Sequence, residues 1–493
     1  MSSEYLYGTY GHIDRTIANE ASQATNAAVY IGVAPINLIR GFADKNLVDE
    51  PIKLSNITAK NVVGYSSNWD KFTLSEVISA HFDNAKGNIG PIYVINIMDP
   101  AVHKKETTEH TITFVNGEAK IASDTIIIDS FAIESKVEGQ DYELSYNFTT
   151  GKLTIKSIGE SALDGQVSCT YEEVDIDKVT NAVFQGSKKN GVYKGACVLD
   201  KLYPFYGIVP RYVAAPGFTD DPENYTYLCN MCYQINNHWF GFVYADLPVK
   251  YESAAVDTIE KADKFRSDHN YFEQNSKIYW PKAEIIGKGI YHISTLAVVE
   301  KMRADMEQSG QHPCRTDGNK TVPVSRLYFG EENNAKGFDE EEGNELAKKG
   351  ISTIIAWGGV FRLWGDHTAA YTFDQEDVLD KRLLFDVNVI MLNYSLNHFQ
   401  ETYGSMIDDN MSKATIQSIT HDFNEWLASL VTDGALIGTP QVMFLEENNS
   451  TSSMTKGHFV WNMLQTNAPL LKAAECYASY TDAGIRDIFG EEE

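Results

Sequence analysis

The segment from residue 339 to residue 356 constrains the fold most, because it specifies a helix, a helix stop and a buried strand in succession. Asp339 is suited to cap a helix whose first turn is acidic and whose last turn carries two lysines. Gly350 follows and can adopt the left-handed conformation that ends a helix. Ile351 to Ala356 is rich in β-branched residues, which favours a buried strand. The sequence therefore predicts an αβ unit that ends close to Arg362 and Trp364.

In the rest of the first half, predicted strands and helices alternate in the same way, with one interruption. An apolar strand ending at Pro35, a helix over Thr73 to Ala85 and an apolar strand over Pro91 to Asp99 predict an α/β sheet. From Thr111 to Val174 the pattern changes to short alternating runs separated by turn residues. This pattern predicts a small all-β domain inserted into the α/β domain.

The α/β pattern resumes after the insertion. Strands are predicted over Trp239 to Pro248, Lys277 to Pro281 and Ile290 to Ala297, and all are expected to continue the same sheet. Beyond Phe373, apolar residues at helical spacing predict two long helices, from Leu379 to Tyr403 and from Lys413 to Thr432. The remaining apolar stretches, including the alternating run that starts at Glu475, predict further strands.

Composition limits the possible functions. At 493 residues the chain is expected to form two to four domains. The net charge of −27 argues against a nucleic-acid partner, because phosphate binding needs clusters of Lys and Arg. The amino terminus does not resemble a signal peptide, and no apolar run is long enough to predict insertion into a membrane.

Short motifs along the chain are similar, in order and spacing, to those of the contractile tail sheath proteins of phages and phage-derived bacteriocins. The most specific are the runs NELAKKGIST and RLWGDHT around the αβ unit. Others include GVAP at residue 32, AAPGF at residue 214, ADLP at residue 245 and GALIG at residue 434. Together they cover most of the chain.

The resemblance implies a multidomain α/β (α+β) fold. A sheath core domain would be built from residues 25–60 and 366–480. Residues 61–100 and 181–365 would form a subtilisin-like α/β domain, and residues 101–180 an inserted small β-sandwich or barrel. Residues 1–24 and 481–493 would be terminal arms.

The resemblance also implies a function and partners. The chain would polymerise with itself as stacked six-fold rings around an inner tail tube, contact baseplate and tail terminator proteins, and contract to drive the tube through a cell envelope. It would be assembled in the host bacterial cytoplasm and belong to a virion tail or a phage-tail-like particle. Neither enzymatic activity nor a cofactor, metal, nucleic acid or membrane partner is implied.

Two groups of residues are candidates for these roles. The termini carry apolar residues that cannot form a core by themselves, which suits either frayed ends or arms that pair with a neighbouring subunit. The inter-subunit arm candidates are Tyr5, Leu6, Tyr7, Tyr10, Ile13, Ile17, Tyr477, Tyr480, Ile485, Ile488 and Phe489. Arg362, Trp364, His367 and Thr368 are interpreted as a clamp at a domain junction, with Arg362 paired to a carboxylate, in preference to a ligand site.

Other functions agree less well with the sequence. A subtilisin-like hydrolase is the main one, but Asp366-His367-Thr368 and Ser452-Ser453-Met454 only superficially resemble the motifs of a serine protease. A secreted adhesin would need a signal peptide. Cys229 and Cys232 have the spacing of a metal or redox pair, yet without a second pair they are interpreted as core residues.

Overall fold

The computed structural model describes residues 22–159, 163–330 and 337–490, with side chains from residue 27 onward. The strands, in chain order, are β1 Ser22–Gly32, β2 Pro51–Leu54, β3 Ile89–Asn96, β4 Thr108–Phe114, β5 Glu118–Ala122, β6 Ala132–Ile133, β7 Tyr142–Asn147, β8 Lys152–Ser157, β9 Gly165–Tyr171, β10 Ser187–Lys189, β11 Val192–Lys194, β12 Tyr212–Ala214, β13 Phe242–Asp246, β14 Lys250–Tyr251, β15 Ala254–Ala255, β16 Ser276–Tyr279, β17 Lys282–Ile285, β18 Gly289–His292, β19 Arg326–Tyr328, β20 Ile351–Trp357, β21 Val360–Trp364, β22 Leu436–Met443 and β23 Asn462–Asn467.

The helices, in chain order, are α1 Ala59–Val63, α2 Thr73–Phe82, α3 Asn181–Gln185, α4 Leu202–Tyr206, α5 Pro222–Tyr233, α6 Ile259–Asp268, α7 Ile293–Met306, α8 Glu340–Lys348, α9 Asp386–Tyr403, α10 Lys413–Thr432, α11 Thr451–Thr455 and α12 Ala483–Phe489. The chain forms two compact units, Met1–Phe423 and Asn424–Glu493.

The first unit is built on an eight-stranded sheet with the order β2-β3-β1-β12-β13-β16-β20-β21. Its six central strands run parallel, and β2 and β21 pair antiparallel at the two edges. From residue 28 onward, most residues of the central strands are apolar and buried, as expected for parallel strands covered on both faces. This arrangement confirms the predicted α/β class, and the likeness to subtilisin stays a prediction.

The position of β1 corrects one predicted grouping. Residues 25–60 were expected to join residues 366–480 in a sheath core domain. Instead β1 lies inside the parallel sheet, where it pairs with β3 on one side and β12 on the other. The sequence of β1 indicates that it is a buried strand, but the choice of neighbours is a long-range property that local sequence does not encode.

The segment from β4 to β9 folds as two three-stranded sheets, with the orders β4-β9-β6 and β5-β8-β7. These strands surround their own hydrophobic cluster, which includes Phe114, Leu153 and Ile155. Asn37 joins this segment to the rest of the first unit, because its side-chain amide donates to the main-chain oxygens of residues 124 and 126 at 2.9 Å each. Most of this second hydrophobic cluster comes from the alternating strands, and the assignment of residues 101–180 as an inserted β domain stays a prediction.

Two strand predictions are wrong. Ile290 to Ala297 does not continue the main sheet, because Gly289–His292 pairs with β17 in a small antiparallel sheet and helix α7 begins at Ile293. Almost every side chain of α7 is buried, so its sequence lacks the polar face that marks a helix.

The second wrong prediction is the strand that starts at Glu475. The run from Glu475 to residue 482 is not paired with any described strand, and residues 483–489 form the short helix α12. A strand requires a neighbour, and the described part of this single chain supplies none there.

The second unit contains the end of α10, the antiparallel pair β22–β23, α11 and α12. The side chain of Asn424 on α10 binds the main chain of Val442 in both directions, at 2.7 and 3.1 Å. Phe444 and Trp461 pack edge to face, with 5.3 Å between their ring centroids. A two-stranded sheet has two edges that are open to pairing, which matters for the function proposed below.

Candidate functional site

The junction after α8 is specified by local sequence, as predicted. The carboxylate of Asp339 accepts from the main-chain N–H of Glu342 at 3.0 Å, and the Glu342 carboxylate accepts from the N–H of Asp339 at 3.1 Å. This reciprocal capping box starts α8. Gly350 has φ +65° and ends the helix, after which β20 enters the main sheet. Gly358 and Gly359, both with positive φ, form the turn between β20 and β21.

Trp364, at the end of β21, packs on α8. Its indole N–H donates to the side-chain oxygen of Asn344 at 2.9 Å. Gly343 allows this close approach, since a Cβ there would lie 3.0 Å from the indole and 2.5 Å from the Ile355 side chain. The asparagine of the helix and the tryptophan of the RLWG motif are therefore direct partners.

The predicted carboxylate partner of Arg362 is wrong. The guanidinium donates to the main-chain oxygen and the side-chain oxygen of Asn319, both at 3.2 Å. It also lies 5.0 Å from the ring centroid of Trp357. The reason is that residues 319–322 run alongside β21, with the N–H of Asn319 donating to the oxygen of Leu363 at 2.7 Å. These groups occupy the place where a carboxylate was expected.

His367 and Thr368 hold a different segment, the approach to α9. The imidazole Nδ1 of His367 is 2.7 Å from the main-chain oxygen of Leu384, and the ring stacks on Tyr371 with 3.5 Å between centroids. The Thr368 hydroxyl donates to the main-chain oxygen of Leu383 at 2.5 Å. The four predicted junction residues thus form two sets. Arg362 and Trp364 contact Asn319 and α8, whereas His367 and Thr368 contact the segment before α9.

Sequence reasoning missed a buried ion cluster beside this junction. The Lys277 ammonium on β16 lies 2.8 Å from carboxylate oxygens of both Asp317 and Asp386, and all three side chains are fully buried. Burial acts to lower the pKa of Lys277, but the two carboxylates outweigh it and hold that pKa above its usual range. Burial raises the pKa of Asp317. A lysine within the buried strand KIYW was the only signal in the sequence.

A second buried polar cluster bears on the hydrolase alternative. The imidazole Nδ1 of His292 is 2.8 Å from the Glu76 carboxylate, while the hydroxyl and the N–H of Ser294 both donate to Asp246. Burial raises the pKa of Asp246 to about 6. The serine is fully buried and its hydroxyl donates to a carboxylate instead of a histidine, so it has neither the Ser–His pairing of a serine protease nor access for a substrate in the single chain.

The remaining candidates for chemistry are structural. Cys229 and Cys232 lie in the core on α5, and burial raises the pKa of both thiols. Across the described ranges, no group of three or more His, Cys, Asp or Glu side chains is arranged to hold a metal ion. In the same part of the chain, no helix combines the length and apolar character that crossing a membrane requires.

The predicted arm residues divide into two groups. Tyr5, Leu6, Tyr7, Tyr10, Ile13 and Ile17 lie outside the described residues. Tyr477, Tyr480, Ile485, Ile488 and Phe489 are all exposed, and Leu471 is exposed as well. From residue 471 to residue 489, an apolar C-terminal segment is therefore left uncovered in the single chain.

Comparisons with known proteins agree with the motifs. The chain is 23% identical over 497 residues to the tail sheath protein of Burkholderia phage BcepMu, covering 96% of each chain. It is 22% identical over 307 residues to the major tail sheath protein of Serratia phage KSP20, covering 61% of this chain and 71% of that protein. No protein family model matches the chain.

Two solved structures share the fold. A chain in the cryo-EM structure of the anti-feeding prophage baseplate superposes with a TM-score of 0.54 at 13% identity, covering 97% of this chain and 99% of that chain. A chain of the PVC sheath complex, an extracellular contractile injection system in its contracted state, gives a TM-score of 0.52 at 11% identity, covering 97% and 100%. The fold is therefore that of a mixed, multidomain α/β protein. Over 96% of its length the chain is similar to a contractile tail sheath protein, which agrees with the resemblance that the motifs indicated.

Proposed function

We propose that this chain is the sheath subunit of a contractile tail, which polymerises as stacked six-fold rings around an inner tail tube. The observation that carries the proposal is the relationship to a phage tail sheath protein over 96% of both chains. On this account the protein has no enzymatic activity, and contraction is a change between two packings of near-rigid subunits. Baseplate and tail terminator proteins would cap the polymer, which would assemble in the host cytoplasm as part of a virion tail or phage-tail-like particle.

The exposed C-terminal segment supports polymerisation. Its apolar side chains gain no burial in the single chain, although apolar burial is the main driving force for association. The β22–β23 pair offers open edges to which an extended segment can add a strand by main-chain hydrogen bonding. The C-terminal segment of one subunit would pair with this sheet in the next. Of the predicted N-terminal arm, residues 1–24, the last three belong to β1, so residues 1–21 would act as the second arm.

The domain roles follow from the same proposal. Residues 101–180, whose strands surround their own hydrophobic cluster, would face outward and take no part in polymer contacts. Arg362 and Trp364 would hold the end of β21 against Asn319 and α8, whereas His367 and Thr368 would clamp the chain leading to α9. Replacing residues 101–180 by a short Gly-Ser linker should leave polymerisation intact.

Deletion of the arms tests the proposal. Variants lacking residues 1–20 or residues 471–493 should keep the circular dichroism spectrum of the intact chain but sediment as monomers. The intact chain at the same concentration should sediment as a polymer. Polymerisation of either truncated form at the concentration that suffices for the intact chain would contradict the role of the deleted segment as an arm.

A further inference from the structure

The buried ion cluster holds together three segments that are far apart in sequence. Lys277 lies on β16, Asp317 lies between α7 and β19, and Asp386 is the first residue of α9. The Lys277 ammonium donates to Asp317 and Asp386 at 2.8 Å each and to the main-chain oxygen of Gly365 at 2.9 Å. Each of the three protons of the ammonium therefore has an acceptor on a different segment.

The carboxylates have further partners. Asp317 accepts from the Tyr279 hydroxyl at 3.0 Å. Asp386 accepts from the Thr316 hydroxyl at 3.0 Å and from the N–H of Val387, the next residue of α9, at 2.6 Å. The cluster is thus a connected hydrogen-bond network in which directions as well as distances are fixed.

Stability alone does not explain such a cluster. Taking three charges out of water is costly, and packed side chains without charge often stabilise a core as well as a buried ion pair does. Apolar contacts are non-directional, however, and do not fix the orientation of a helix in the way that a three-way ammonium can. The contribution particular to this cluster is the geometry at which α9 leaves the sheet.

We propose that Lys277 is a positioning residue that sets the angle and register of α9 on the central sheet. Under the function proposed above, on which this inference rests for its consequence, every subunit of the polymer must present its surfaces in the same geometry. A helix that settles in several orientations would give subunits that fold but do not pack uniformly. Lys277, Asp317 and Asp386 would therefore be needed for ordered assembly more than for folding.

The test compares a charge-free cluster with a broken one. The triple variant Lys277→Met, Asp317→Asn, Asp386→Asn removes every charge, whereas Lys277→Met alone leaves two unpaired buried carboxylates. We expect the single variant to melt well below the wild type and the triple variant to melt within about 3 °C of it. In the triple variant, amide hydrogen exchange in the first two turns of α9 should be at least tenfold faster, and tubes should be absent or irregular.

A matched control uses another buried lysine–aspartate pair. Lys301 and Asp305 are also buried and paired on α7. The Lys301 ammonium donates to the main-chain oxygen of Pro313 at 3.2 Å and Asp305 accepts from the Tyr212 hydroxyl on β12, so these hydrogen bonds join segments other than α9. The double variant Lys301→Met, Asp305→Asn should leave hydrogen exchange in α9 unchanged.

Two results would overturn the inference. One is a triple variant that forms wild-type tubes with wild-type exchange in α9. The other is a triple variant that melts as low as Lys277→Met, because the cluster would then be a stability element. The exchange measurement does not depend on polymerisation, so failure of the wild-type chain to form tubes would refute the proposed function and leave this inference separately testable.

Discussion

The double substitution Ile488→Ser and Phe489→Ser tests the C-terminal arm with a magnitude taken from the structure. The two side chains are 77% and 80% exposed in the single chain, so almost all of their apolar surface is still available for burial. Full burial of such a side chain contributes about 1.5–3 kcal/mol. If a neighbouring subunit covers both, the substitutions remove roughly 2.5–5 kcal/mol from each arm contact. At about 1.4 kcal/mol per tenfold change, the critical concentration for polymerisation should rise by roughly two to three and a half orders of magnitude.

The critical concentration is measured by sedimenting polymer from a dilution series of the purified chain. The melting temperature of the monomer should stay constant, because exposed substitutions of this kind change stability by no more than about 0.5 kcal/mol. Val378→Ser is the matched control, since Val378 is 84% exposed and lies outside both arms. An unchanged critical concentration in the double variant, or an equal rise in the Val378 control, would refute the assignment of this segment as an arm.

Three further predictions concern the stability and reactivity of the single folded chain. Gly350→Ala should lower the free energy of unfolding by about 2–4 kcal/mol, because positive φ is unfavourable for alanine and the added Cβ would lie 2.5 Å from a main-chain oxygen. Gly207 has a similar φ but open space around it, so Gly207→Ala should lower the same free energy by only about 1–2 kcal/mol. Burial raises the pKa of Asp246 in the folded chain to about 6, against an ordinary 3.8. The contribution of Asp246 to the free energy of unfolding is therefore greatest below about pH 4, and roughly 3 kcal/mol of it is lost as the pH rises through 6. Asp246→Asn should remove this pH dependence in denaturant titrations. In the native monomer, Cys476 should react with a thiol reagent, whereas Cys229 should react only after unfolding, as mass spectrometry would show.

Local signals in the sequence predicted the parts of the fold that local physics decides. The helix from Lys413 to Thr432 has the predicted bounds, because its apolar residues recur at helical spacing and Gly434 follows its end. The capping box at Asp339 and the left-handed Gly350 are likewise local features. In the same way, the alternation between residues 111 and 174 correctly predicted strands.

The errors have a common physical origin in long-range partners. The neighbours of β1 in the sheet depend on the whole topology, and helix α7 lacks a polar face because it is buried on all sides. The cluster around Lys277 depends on carboxylates 40 and 109 residues further along the chain. No spacing rule connects residues at such separations, so the sequence indicated a buried lysine without indicating what it binds.

The central claim is that the chain is a sheath subunit, and electron microscopy of the purified protein tests it most directly. The account predicts hollow tubes of uniform diameter, with six subunits in each ring when the images are averaged. Discrete particles of monomer size at every concentration, from a chain that is folded by circular dichroism, would contradict it.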